Sequence, residues 1–194
     1  MWTADLARDP RDFNAAWKIA RADYWIGGHA PGGERRRVYE QGIDVGRKAI
    51  ALQPGRPEGH FWVAANMGAM AESFGQGLKL RRPIKDELET VLRIDPGFQR
   101  GSADRALGRW YFKVPRLFGG NHKQAEAHLR TSLTYDPDST ASHFFLAELY
   151  LDDGRRDEAR AELRKVIDAK DNPEWTPEND EFKEKARALL NRTR

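Results

Sequence analysis

Ser132-Leu-Thr-Tyr-Asp-Pro137 runs into Ser139-Thr-Ala-Ser-His-Phe-Phe-Leu-Ala-Glu148, and this join decides the fold. The first stretch reads as the last turn of a helix stopped by proline. Proline lacks an N–H, and it disfavours helical backbone in the residue before it. The same ending occurs at Leu6-Ala-Arg-Asp-Pro10, Ala49-Ile-Ala-Leu-Gln-Pro54 and Val91-Leu-Arg-Ile-Asp-Pro96. The four prolines follow one another at intervals of 44, 42 and 41 residues. Ten residues after Pro10, Pro54 and Pro137 stand Ala20, Ala64 and Ala147, so His60-Phe-Trp-Val-Ala64 aligns with His143-Phe-Phe-Leu-Ala147. The third unit reaches its small residue, Gly108, two positions later. Two helices crossing closely in a hairpin need a small residue there.

A recurring unit of this length is the signature of a repeat architecture. The unit after Pro137 fits the tetratricopeptide (TPR) pattern of roughly 34 residues. Leu146, Ala147 and Tyr150 lie on its first helix, Gly154 makes the turn, and Ala159 and Leu163 lie on the second. The longer period elsewhere implies insertions, at Val114-Pro-Arg-Leu-Phe-Gly-Gly120 and across residues 27–33. Helices are predicted near 10–27, 34–53, 57–74, 84–95, 100–113, 122–136, 139–153 and 155–170. A last helix near 177–192 carries Thr176 as N-cap, Pro177 at its first position, and a stripe of Phe182, Ala186 and Leu189. Gly75 and Gly77 weaken any helix across residues 73–83. No alternating run argues for a strand.

The fold expected is therefore all-α: about four TPR-like hairpins in a short right-handed solenoid, closed by a C-terminal capping helix. It forms one domain over residues 1–194, with repeats near 10–53, 54–95, 96–136 and 137–170 and the cap near 177–192. One hairpin cannot bury its own apolar face, so stacked neighbours share a continuous core.

Composition narrows the chemistry. A hydrophobic share of 39% is enough for a core, which sets the chain apart from a disordered tail. The 33 basic residues are interleaved with 30 acidic ones, so a net charge of +3 gives nucleic-acid binding only weak support. With no cysteine, disulfides, thiolate catalysis and Cys-ligated zinc are excluded. No GxxxxGK[ST] or GxSxG spacing occurs, and the glycines at 27, 28, 32 and 33 make no phosphate loop. No cofactor is expected.

Three stretches together resemble the T-component (TatT-like) family of TRAP transporters: Glu58-Gly-His-Phe-Trp-Val-Ala-Ala-Asn-Met-Gly68, Gly101-Ser-Ala-Asp-Arg-Ala-Leu-Gly-Arg-Trp-Tyr111 and Val114-Pro-Arg-Leu-Phe-Gly-Gly120. The resemblance runs from about Leu6 to Leu190, and the block 101–120 is its specific part. It implies a degenerate TPR fold, a periplasmic location and a trimeric assembly. The partner it implies is the solute-binding P component of a tripartite ATP-independent periplasmic transporter, together with an anionic or hydrophobic solute. Family members are lipoproteins. This chain shows no export signal and no lipid-bearing cysteine, so membrane attachment would run through an anchor outside it.

In a TPR hairpin the first helix lines the concave face. Mapping its inward positions gives Trp17, Arg21, Tyr24 and Trp25 in the first unit and Phe61 in the second, with Ala65 beside it. The third unit gives Ser102, Arg105, Arg109, Phe112 and Lys113, and the fourth gives Phe144 and Glu148. Arg105, Arg109 and Lys113 recur at i, i+4, i+8 and share one helix face. Guanidinium forks match carboxylates, and aromatic rings supply apolar contact area. The aromatic and basic set is either a groove for an anionic, partly apolar ligand or an acidic partner segment, or a solvated charged face behind packed Leu107, Trp110 and Tyr111.

His60 and His143 occupy equivalent repeat positions that usually hold a packing residue, and no metal site is marked by spacing. Asp104 takes the same position in the third unit, with neighbouring Arg105 as the expected partner of a buried carboxylate. Asn66 sits inside an apolar helix and must be hydrogen-bonded there, either holding a loop or touching a ligand. The function implied is a non-catalytic transporter accessory protein. The alternatives are a general TPR peptide adaptor, or an enzyme with a pocket around His60, Asp104 and His143.

Overall fold

The computed structural model describes residues 1–74, 76–170 and 176–193. The described residues form helices, turns and loops, with no strand among them. A short α1 (Trp2–Arg8) precedes four hairpins: α2 (Phe13–His29) with α3 (Gly32–Leu52), α4 (Pro57–Phe74) with α5 (Gly77–Ile94), α6 (Ser102–Lys113) with α7 (His122–Tyr135), and α8 (Thr140–Asp152) with α9 (Arg156–Asp168). The last helix is α10 (Thr176–Arg192). The hairpins fall in two compact units, Met1–Phe98 and Gln99–Arg194, with two hairpins in each.

The proline-stopped endings form as the sequence predicts. Asp9, Gln53, Asp95 and Asp136, each followed by proline, leave the helix with φ of −126°, −142°, −153° and −143°. Among the described residues, side chains cap the starts of α2, α7 and α8. Asp12 accepts from the Ala15 N–H, Asn121 from the Gln124 N–H and Ser139 from the Ser142 N–H.

The small repeat residues sit where helices cross. Ala20, Ala64 and Ala147 are buried. A Cβ on Gly108 would lie 2.5 Å from Leu129 Cγ on the facing helix α7. Gly101 answers a different need, since it holds a left-handed φ of 74° against the Ser132 backbone.

In the second unit Leu129, Leu146, Ala147, Tyr150, Leu163 and Val166 form the core. The α10 stripe closes it, with Ala186 fully buried and Phe182 and Leu189 packed alongside. In the first unit Asn66 joins two hairpins. Its Nδ2 donates to the Ala20 carbonyl at 2.9 Å and to the Trp62 carbonyl at 2.8 Å.

One helix starts earlier than expected. Helix α5 begins at Gly77, not near residue 84, and runs through Pro83. Pro83 is exposed, while Ile84, Leu88 and Val91 are buried at i, i+4, i+7. Burial of that stripe outweighs the local penalty of proline. Gly75, the other residue that weakens a helix here, lies outside the described residues.

Candidate functional site

In the first unit the sequence-predicted residues do not form one cluster. Trp62, absent from that set, is the hub. It is 4% exposed, and its ring lies 5.0 Å from Phe61 and 5.8 Å from Tyr24, while the Arg21 guanidinium sits 5.8 Å from it. Phe61 also meets Phe98 at 5.6 Å. Trp17 turns to other partners: it donates to Asn14 at 3.2 Å, lies under Lys18, and packs on the Phe13, Ala16 and Ala49 core. Trp25 packs against His29 in a tilted arrangement, centroids 4.0 Å apart. Twin aromatics at positions 61 and 62 were the signal that could have marked Trp62.

In the second unit α6 and α8 bring charge together. Arg109 Nη1 pairs with Glu148 Oε2, and Lys113 Nζ lies 3.9 Å from Glu148 Oε1. The Arg109 guanidinium lies 4.6 Å from the Phe145 ring. Lys113 lies over Phe112, and Phe112 meets His122 edge-on at 5.4 Å. Phe144 is 9% exposed and joins the core against Phe182, so the ring facing Arg109 belongs to its neighbour. Arg105 is half-buried on the same helix.

Three hairpins share a histidine–carboxylate clamp between their two helices. His60 Nδ1 lies 2.5 Å from Glu87 Oε2, and its Nε2 lies 3.0 Å from the Pro54 carbonyl. His143 repeats this with Glu162 at 2.5 Å and the Pro137 carbonyl at 2.9 Å. In the third hairpin the types are exchanged, with Asp104 on the first helix 2.7 Å from His128 on the second. Thus His128 clamps Asp104, where the sequence pointed to Arg105. Burial works to raise the Glu162 carboxyl, but bonding to His143 and Lys165 prevails and holds it below the usual range. The first hairpin has Ala16 at this position and no such clamp.

His122, Asp152 and Asp153 form the one group among the described residues that could hold a metal ion. His122 Nδ1 lies 2.6 Å from Asp153 Oδ1, a contact that an ion pair or hydrogen bond explains.

Helical hairpins with proline-stopped ends, alanine crossings and a closing helix define a TPR-like repeat protein. The tetratricopeptide repeat model matches residues 119–176. The model for Regulator of microtubule dynamics protein 1-3 matches residues 3–131, and the chain belongs to that family. Neither is a TRAP T-component model. Among solved structures, a thermophilic TPR protein from Thermus thermophilus superimposes with a TM-score of 0.73 at 21% identity, over 97% of this chain and 87% of that one. MamA superimposes with a TM-score of 0.59 at 17% identity, over 95% of this chain and 87% of that one. These likenesses concern the fold. No curated protein matches the chain significantly.

Proposed function

We propose that this chain is a non-catalytic adaptor, which clamps an acidic, aromatic-bearing segment of a partner protein on helices α6 and α8. One observation carries the reading. Arg109 and Lys113 converge on the Glu148 carboxylate while the Arg109 guanidinium lies over Phe145. Glu148 thus stands in for a partner's carboxylate, held by charge-assisted bonds beside an aromatic face. TPR-like proteins generally serve as scaffolds, which supports the non-catalytic assignment. The name of the family ties its members to microtubule dynamics, and for this chain we take from it only a protein partner.

The test is affinity for a fluorescent peptide rich in Glu and Phe. Glu148→Ala removes the competing carboxylate and should tighten binding several-fold, whereas Arg109→Ala should weaken it about ten-fold, roughly 1.4 kcal/mol. Unchanged or weaker binding by Glu148→Ala would sink the reading.

A narrower reading is a periplasmic accessory protein of a TRAP-type transporter, trimeric, that binds the solute-receptor subunit and an anionic, partly hydrophobic solute. The block 101–120 supports it. Two of its glycines, however, have packing reasons: Gly101 lies against Ser132 and Gly108 against Leu129. That makes the block evidence for the hairpin first, so the adaptor leads. Cross-linked capture of a solute receptor would favour the narrower reading.

A further inference from the structure

Asp23 is an acid with no structural partner for half of its carboxylate. It stands on α2 at 6% exposure, and its Oδ2 has no hydrogen-bond donor. The other bond it makes is to the Gln41 side chain. Buried polar groups are nearly always paired, because an orphaned one forfeits its hydration without compensation. Asp23 also lines a cavity of about 310 Å³ whose other walls include Trp2, Ile19, Ala22, Ile26 and Gln41. Ile26 is 50% exposed, an apolar residue at the border of the cavity with solvent. A buried carboxylate beside apolar side chains, with Thr3 and Gln41 also on the wall and room for a small molecule, suits a small ligand with one polar end.

We propose that this cavity binds a small organic ammonium ion, whose N–H donates to the Asp23 carboxylate while its apolar body lies against Trp2, Ile19 and Ile26. The ligand supplies the positive charge that the fold, among the described residues, places nowhere beside this carboxylate. Burial pushes the Asp23 carboxyl up to about 6, against the hydrogen bond with Gln41, so the group is ionised at neutral pH and costly until a cation arrives. The walls select for a short apolar chain or a single ring, since about 310 Å³ is at the small end of ligand pockets.

Phenethylammonium chloride and its neutral counterpart 2-phenylethanol are suitable probes. Each is titrated into the full chain at pH 7.5 and followed by ligand-observed NMR and by tryptophan fluorescence. The ammonium ion should bind at least ten-fold more tightly than the alcohol. Asp23→Asn should abolish that preference while circular dichroism stays unchanged. Ile26→Trp fills the cavity from an exposed position, leaves the carboxylate in place, and should block both probes. Equal binding of the two probes, full binding by Asp23→Asn, or no binding at millimolar ammonium ion overturns the proposal. The Glu- and Phe-rich peptide is unaffected by either variant if the proposal holds, which keeps the two readings apart.

Discussion

An ionised carboxylate with one unpartnered oxygen at Asp23 weakens the fold, and its raised pKa sets the pH range in which it does so. The folded value is about 6 against 3.8 for the free group. The folded state therefore binds the proton more tightly, and stability falls as pH rises from about 4 through 6. Asp23→Asn removes the charge and keeps the shape, so it should raise stability at pH 7.5 by about 1–2 kcal/mol. The gain should shrink toward zero near pH 4. Urea unfolding at the two pH values measures it. Glu126 has the opposite sign and does not interfere. The Arg155 hydrogen bond, joined by those of Arg130 and Tyr150 and opposed by burial, lowers its carboxyl from 4.5 to about 2. The stability it contributes is lost as pH falls from about 4.5 toward 2, and it is lost alike from wild type and Asp23→Asn, so it cancels in their difference.

At the scale of the helix, two glycines make a controlled pair. Gly68 lies inside α4, and a Cβ there meets nothing within 4 Å. Gly68→Ala should stabilise by about 0.5–1 kcal/mol, the difference in helix propensity. Gly108 lies inside α6, where a Cβ would meet Leu129 Cγ at 2.5 Å and the Ala125 carbonyl at 3.1 Å. The same propensity gain is then overridden by overpacking, and Gly108→Ala should destabilise by about 1–2 kcal/mol. Thermal unfolding of both variants decides it, and equal shifts would mean that Gly108 does not mark a close crossing. The sequence announced this crossing because glycine there substitutes for the alanine of the other repeats. Helix ends were legible for the same kind of reason, a local one: proline acts on its own residue and the one before. The start of α5 was not, because burial of Ile84, Leu88 and Val91 against neighbouring elements overrules Pro83. The clamps were half legible. Their first-helix positions align by repeat, but Glu87, His128 and Glu162 sit 27, 24 and 19 residues away on the second helix. Asp23 was invisible, since nothing in a helix-compatible stretch announces that one carboxylate oxygen will be left bare.

For the whole molecule, 33 basic residues against 30 acidic ones leave no strong long-range field. Partner binding must then rest on a few local contacts, and ionic strength reports how many. Arg109 is 22% exposed and Lys113 42%, and both are engaged with one carboxylate. Pairs this exposed are partly screened at physiological salt, where the Debye length is about 8 Å. Raising sodium chloride from about 50 mM to 500 mM should therefore weaken the Glu- and Phe-rich peptide by about ten-fold or less. A cationic face that tracks a polyanion behaves otherwise, losing about 10³–10⁵ in affinity over a smaller salt range. Fluorescence anisotropy across the salt series separates the two. In Arg109→Ala the slope should flatten as well as the affinity fall, because one of the two screened contacts is gone. A steep slope that survives Arg109→Ala would place the anion-binding surface on other residues, and the α6–α8 clamp would have to be abandoned.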